Sequence, residues 1–296
     1  MITRVDHTML IVADVPAAIT TFRDQLGLNC RYGGQHLRGT HNGIVHFPGS
    51  LNYLELYGPR DEAKMRAEGN TAIFDWLAIG GGIWRYAVGT DDLTGDHNRL
   101  SALDVPHNPP TDHQRTRDDG VTVRWRMFAM TPHGERLYPF IIQWAPEAER
   151  VPDLEQAGFF EPPELPVRRI ARITLAVNGL EAVAGEYERR YDLTAGPATD
   201  APSLGGRMRV VATNDGEIAI VEPTGPGEAR SMLDSFGPGP FLLSLEASDL
   251  AAARRFLEDR SVRLSATAPR DDGRAAFRID PADAHGIAFE VVDDGR

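Results

Sequence analysis

The stretch HTMLIVADVPAAITTFRDQLG (His7–Gly27) decides the fold. An apolar strand-like run, HTMLIV (His7–Val12), passes through a short acidic turn into an amphipathic helical segment, PAAITTFRDQLG. Pro16 suits the first helical turn, where its missing N–H leaves no bond unmade, and Gly27 suits a left-handed stop. Alternating segments follow around Asn29–Tyr32, Gly43–Phe47 and Asn52–Tyr57, with Gly or Pro between them. The unit reads β-α-β-β-β.

The same rhythm recurs three times. WRYAVGTDDLTGDHNRLSALDV (Trp84–Val105) is followed by strand-like runs at Val121–Met130 and Tyr138–Trp144. A third copy opens with IARITLAVNGLEAVAGEYERRYDL (Ile170–Leu193) and continues through RMRVVAT and EIAIVEP. The fourth opens with FLLSLEASDLAAARRFLEDRSV (Phe241–Val262) and ends in AAFRID and GIAFEVVDD. Copies lie roughly 60 to 80 residues apart, longer than solenoid repeats, so a half-domain has been duplicated. EAERVPDLEQAGFFEPPELP (Glu147–Pro166), rich in Pro and Glu with little periodicity, reads as a linker, with Phe159 and Phe160 available to dock onto one domain. The expected organisation is one domain over 1–146, a linker over 147–166 and a second domain over 167–296.

Composition agrees with two domains. A chain of 296 residues exceeds the usual single-domain size. Its 42% apolar content supplies cores, and it has no apolar run of the roughly 18 residues that a membrane span needs. The opening MITRVDHTMLIVADV has an aspartate on either side of its apolar run and no small-residue cleavage site, so it reads as a strand. A net charge of −12 argues against nonspecific nucleic-acid binding, which needs clustered Lys and Arg. The single cysteine, Cys30, excludes an intrachain disulfide, fits a reducing cytoplasm, and has no neighbour that would activate its thiol.

Chemistry is unevenly spread. Eight of the nine histidines and all four tryptophans fall in residues 1–146, so the copies are alike in rhythm but only the first pair carries residues suited to a site. Strand alternation points Glu55, between Leu54 and Leu56, to the face opposite those leucines. In GGQHLRGTHN (Gly33–Asn42), glycine permits a turn, and Thr40 and Asn42 are expected to tie it down through side-chain-to-backbone bonds; His36 has no such structural need. His41 and His46 read as exposed strand or turn residues, and His97, His107, His113 and His133 as helix or loop positions. Trp76, Trp84, Trp125 and Trp144, with Tyr53 and Tyr138, read as core or pocket wall. Arg124 and Arg126 flank Trp125, facing either a substrate carboxylate or solvent. Nucleophile-elbow, phosphate-loop and H-E-x-x-H signatures are absent; IGGGIW (Ile79–Trp84) reads as a flexible link, and TGPGEARSMLDSFGPGP (Thr224–Pro240) as the loop joining the last two copies.

Four β-α-β-β-β copies in two pairs resemble the vicinal oxygen chelate superfamily, the fold of glyoxalase I, extradiol dioxygenases and bleomycin-resistance proteins. The resemblance implies an α+β fold: two tandem glyoxalase-like domains, each with curved mixed sheets forming a cup. GGQHLRGTHN, then YLEL (Tyr53–Leu56), then Asp119–Gly120 with Trp125, then PFIIQW (Pro139–Trp144), resembles more closely the glyoxalase-like domain group over residues 1–146. The superfamily holds its metal with a His from a first strand and a Glu from a fourth strand, positions occupied here by His7 and Glu55. Module three has Arg172 and Ala219 at these positions, module two Trp84 or Arg85, and module four Glu290 without a His. A third ligand to a divalent Zn, Ni, Mn or Fe ion is then His36 or Gln143.

What the resemblance implies is a cytoplasmic glyoxalase-like protein binding a small organic molecule in its N-terminal cup. As a lyase or isomerase it would work next to a carbonyl, with Glu55 or His36 moving the proton and Asn42, Trp84, Trp125 and Gln143 contacting the ligand. The alternative is a noncatalytic sequestering protein like the bleomycin-resistance members; extradiol oxygenation fits less well, because a second His is missing from its expected strand. Expected partners are a small molecule and neither nucleic acid nor membrane, with the second half capping the cup or mediating a homodimer.

Overall fold

The structure is a computed structural model that describes residues 1–131 and 136–295. Its first half contains strands β1 (Ile2–Ile11), β2 (Cys30–His36), β3 (Thr40–Phe47), β4 (Ser50–Pro59), β5 (Gly82–Thr90), β6 (Thr111–Thr116), β7 (Thr122–Phe128) and β8 (Phe140–Trp144). Between them run helices α1 (Val15–Thr20, prolonged by a π turn over Thr21–Gln25), α2 (Glu62–Ala67), α3 (Ala72–Ala78) and α4 (Leu93–Ala102). The second half follows α5 (Glu147–Gln156). It comprises β9 (Val167–Ala176), α6 (Leu180–Tyr191), β10 (Thr199–Ala201), β11 (Gly206–Ala212), β12 (Glu217–Pro223), α7 (Glu228–Phe236), β13 (Gly239–Ala247), α8 (Leu250–Asp259), β14 (Ala268–Pro269), β15 (Ala275–Ile279) and β16 (Phe289–Asp293).

The first eight strands close into a barrel in the order β1-β4-β3-β2-β6-β7-β8-β5, and the second eight form a sheet in the order β10-β11-β12-β9-β13-β16-β15-β14. Within each module the first strand lies parallel to the last, as β1 does to β4 and β9 to β12. A parallel pair needs a crossover, and the helix after the first strand supplies it. Helix α1 starts where Asp14 accepts from the Ala17 amide; Asp92 and Asp249 cap α4 and α8 in the same way. Removing one such cap costs about 1 kcal/mol.

Strand alternation sets the two faces of the barrel. Leu54 and Leu56 of β4 pack outward into a core with Val15, Ala18, Ile19 and Phe22, and this core continues into the second half through Ile173, Leu175 and Tyr187. Tyr187 and Tyr191 donate to the carbonyls of Leu137 and Pro139 at 2.7 and 2.8 Å, so the halves share hydrogen bonds as well as apolar contacts. No helix among the described residues is long and apolar enough to cross a membrane.

The segment 147–166, read as a linker with Phe159 and Phe160 available to dock, carries α5, and Leu154 and Phe159 pack against Ile44, Leu51 and Tyr53 of the first half. The helix escaped notice because Pro152 lies inside it and its apolar residues are few. TGPGEARSMLDSFGPGP, expected as a loop, contains α7. Module two has a further strand, β6, whose sequence TDHQRT lacks apolar alternation. Thr40 and Asn42 do not bond to the turn's backbone; their side chains point into the barrel toward partners described next.

Candidate functional site

The barrel encloses a cavity of about 1020 Å³ lined from both modules, with Glu55 on one wall. Glu55 is 6% exposed and stands at the centre of a set of polar side chains on β1, β2, β3 and β6. Asn42, across from β4 on β3, donates to Glu55 Oε1 at 2.6 Å. Arg115 in turn donates from Nη1 to Asn42 Oδ1 at 3.1 Å. The cation therefore fixes the amide's orientation, and the amide presents its N–H to Glu55, an arrangement suited to an ionised carboxylate.

Two imidazoles flank that carboxylate. His7 Nε2 lies 3.6 Å from Glu55 Oε2, and His36 Nε2 lies 3.9 Å from Oε1. His7 Nδ1 contacts Asp6 Oδ1 at 2.9 Å, and Trp144 Nε1 donates to the same oxygen at 3.0 Å. Burial pushes the Asp6 carboxyl up, but Arg4, the His7 bond and Arg150 together hold it well below the usual carboxylate range. A permanently ionised Asp6 is only an acceptor, so His7 carries its proton on Nδ1 and, when neutral, turns a bare Nε2 toward Glu55. Thr40 Oγ1 donates to the Tyr57 hydroxyl at 2.8 Å and lies 3.0 Å from His36 Nδ1, so His36 donates from Nδ1. Burial lowers the His36 pKa to about 4, with Arg115 adding to the effect and Glu55 opposing it. Its Nε2 is also a bare acceptor at neutral pH.

With His7 neutral, His7 Nε2 and His36 Nε2 are thus two acceptors flanking a third, the Glu55 carboxylate, whose Oε1 receives one hydrogen bond from Asn42. That donor set suits a divalent cation, since imidazole nitrogen and carboxylate oxygen are its usual ligands. Tetrahedral ligands around zinc stand about 3.3 Å apart, so the 3.6 and 3.9 Å separations are somewhat wide. No cluster of three or more His, Cys, Asp or Glu among the described residues has ready-made ligand spacing. His7, His36 and Glu55 fit such an ion by the chemistry of their donor atoms, and would have to move closer together to ligate it.

The remaining sequence candidates divide. Trp125 packs with Trp144 inside the barrel and meets His36 edge-on, and Trp84 lies beside Tyr57; both line the cavity. Gln143 reaches the cavity edge, but its amide donates to the Asp91 carbonyl at 2.7 Å, on the opposite face of β8 from the apolar cluster of Phe140 and Ile142. Arg126 pairs with Asp112 at an exposed position. His41 and His46, expected to be exposed, are buried: His41 meets the Tyr32 hydroxyl at 3.3 Å, and His46 sits among Tyr53, Phe159 and Phe160. His113 is on strand β6, stacked on Trp125, rather than in a loop. His133 lies outside the described residues. Sequence reasoning passed over Asp6 and Arg115, and took Thr40 only as a turn residue and Arg85 only as a position without a His. Asp6 was visible as the residue before His7, whereas Arg115 sits in a strand with no apolar pattern to announce it.

Gly33 explains one part of the GGQH motif. A Cβ there would fall 2.4 Å from Asn42 Oδ1 and 2.6 Å from Arg115 Nη1. Gly33→Ala is expected to destabilise the protein by about 1–3 kcal/mol through overpacking. It should also weaken ligand binding in the cavity; unchanged melting and unchanged binding together would show that the Asn42–Arg115 contact is dispensable.

The second half fills the corresponding space with ion pairs. The register Glu217↔Arg172 and Ala219↔Thr174 in β12–β9 parallels Tyr53↔His7 and Glu55↔Met9 in β4–β1, putting Arg172 at the His7 position and Ala219 at the Glu55 position. Arg172 grips Glu217 at 2.8 Å, and Arg270 and Arg278 approach Glu290 at 3.2 and 3.4 Å.

The sequence profile described as "Glyoxalase-like domain" matches residues 5–191, and the chain belongs to that family. The match runs past the barrel through α5 and β9 to the end of α6. Among solved structures, a hypothetical protein from Staphylococcus aureus aligns over 99% of this chain and 100% of its own at 16% identity, with a TM-score of 0.69. A mutant of 4-hydroxymandelate synthase from Streptomyces coelicolor aligns over 99% and 92% at 15% identity, with a TM-score of 0.63. Methylmalonyl-CoA epimerase from Mycobacterium tuberculosis aligns over 46% and 94% at 22% identity, with a TM-score of 0.43. The first two likenesses establish the tandem vicinal oxygen chelate fold. No curated protein matches the sequence.

Proposed function

We infer that the N-terminal barrel binds a small carbonyl compound and removes a proton from the carbon next to the carbonyl. One observation carries this reading: Glu55 is a buried carboxylate on the wall of a cavity of about 1020 Å³, fixed as an acceptor by Asn42 and facing two bare imidazole nitrogens. Oε1 already accepts from Asn42, so the substrate proton goes to Oε2. His7 Nε2, 3.6 Å from Oε2, is placed to take that proton onward, and Asp6 keeps the ring oriented for it. Negative charge developing on the substrate oxygen is stabilised by the cationic wall, where Arg85 lies 5.4 Å from the Phe140 ring centroid. Trp84, Trp125, Trp144 and Phe140 form an aromatic lining that suits an apolar or planar substrate body. If His7, His36 and Glu55 instead held a divalent ion, the ion would supply Lewis-acid stabilisation of the same oxygen, and the Nε2 lone pair of His7, taken up as a ligand, would no longer accept the proton.

The test is solvent exchange. Protein is incubated in D₂O with a panel of 2-oxo acids and aryl ketones, and loss of the α-proton signal is followed by NMR, with and without Zn, Ni, Mn or Fe(II). Exchange above the buffer rate supports the reading. Tight binding with no exchange under any metal condition would replace it with a sequestering role. Elemental analysis of wild type and His7→Ala decides the metal question separately: stoichiometric ion lost in the variant assigns the ligand.

A further inference from the structure

The walls of the cavity are richer in cations than a chain of net charge −12 leads one to expect. Five arginines line it, Arg38, Arg85, Arg115, Arg124 and Arg126, against two carboxylates, Glu55 and Asp112. Most of these lie toward the rim, but Arg85 and Arg115 are 7% and 6% exposed. They come from different walls, since β7 and β8 separate β5 from β6 in the barrel.

Arg115 is unusual among the buried arginines. Arg117 and Arg172, buried to a similar degree, each hold a carboxylate, at 2.7 Å for Arg117–Asp153 and 2.8 Å for Arg172–Glu217. Arg115 forms no such ion pair among the described residues. Its side chain makes one hydrogen bond, to the neutral amide of Asn42, and its buried Nε has no partner. Buried charges are ordinarily paired, because an unpaired one forfeits its hydration without return. Glu55 lies one amide away, through Asn42, and the reaction proposed above puts a proton on it. An anion from outside the protein would complete the pairing.

We propose that the substrate carries a carboxylate and that Arg115 binds it, holding the reactive carbon against Glu55. A planar carboxylate matches one guanidinium fork, and Arg115 is the single buried guanidinium bonded to Asn42 beside Glu55, Arg85 standing on a different wall and the other lining arginines toward the rim. This assignment rests on the small-molecule reading of the barrel and specifies the substrate class for it: oxo acids with an apolar or aromatic body.

Matched probes test the assignment on the whole chain. Phenylacetate, phenylacetamide and phenylphosphonate are titrated by tryptophan fluorescence and calorimetry, together with the indole-3-acetate and indole-3-acetamide pair. The acids are expected to bind at least about tenfold more tightly than the amides, the effect of a charge-assisted bond in a buried site. Arg115→Gln should erase the difference between acid and amide, and Arg115→Lys should retain part of it. If Arg115→Gln fails to fold, as thermal melting would show, the wild-type preference and the Lys variant still decide. Equal affinity for acid and amide, or preference for the phosphonate, overturns the carboxylate assignment and leaves the barrel a small-molecule site. Binding of none of the probes overturns both.

Discussion

Glu55→Gln lowers α-proton exchange at least about a hundredfold and leaves the melting temperature nearly unchanged. Glutamine keeps the length and volume of the side chain, so its carbonyl oxygen still accepts from Asn42, which donates at 2.6 Å in the wild type. Its amide nitrogen then stands where Oε2 is now, 3.6 Å from the bare Nε2 of His7, and can donate to it. Packing and hydrogen bonding survive, and only the proton acceptor is lost. Removing a positioned general base costs on the order of 10²–10⁴ in rate. The companion Glu55→Asp retains the carboxylate but draws it back by one methylene, so it should fall between wild type and Gln. Deuterium incorporation measures the rates and calorimetric melting the fold. An unaltered exchange rate in a folded Gln variant would move the base elsewhere in the cavity.

The second large effect is on stability against pH. Burial lowers the His36 pKa to about 4, so the folded protein holds this ring neutral while the unfolded chain protonates it near the ordinary histidine value. Where the unfolded state binds more protons, stability rises with pH. The contribution of His36 is therefore fully present above about pH 6.5 and is lost as pH falls through the window down to about 4. The loss amounts to about 3 kcal/mol. His41, His46 and His113 are also lowered by burial and act in the same direction. Urea unfolding at pH 7 and pH 4 of wild type and His36→Gln isolates the one ring, since the other histidines are common to both. The variant should lose about 3 kcal/mol less between these pH values; identical losses would mean that His36 is not held neutral. Asp6, whose carboxyl is lowered, contributes stability that is lost only below the ordinary carboxylate range, outside this window.

Sequence patterning reached the barrel through features that are local in the chain. The run His7–Val12, the acidic turn at Asp14 and the helix stop at Gly27 are short-range signals, each acting within one or two turns of backbone. Glu55 was legible for the same reason: Leu54 and Leu56 on either side force it to the other face of β4. His36 stood out only because the turn around Gly39 did not need it. By contrast, β6 carries His113 and Arg115 on a polar strand whose inward residues face a wet cavity, so the alternation that marks a strand is missing. Helix α5 was hidden for a related reason. Its buried surface is small, and it packs on the first half with Leu154 and the aromatic residues that follow it.

The sequence by itself determined the β-α-β-β-β unit, its fourfold recurrence, and the concentration of histidine and tryptophan in the first half, because period, caps and composition are properties of neighbouring residues. Only the tertiary structure decided that Asn42 serves Glu55 rather than its own turn, that Arg115 reaches Asn42 across 73 positions of chain, and that Asp6 fixes the proton of His7. Those contacts depend on barrel closure, which brings β2 against β6 and sets the register His36↔Arg115. A hydrogen bond is a matter of tenths of an ångström between distant strands, and no local pattern in the chain encodes that distance.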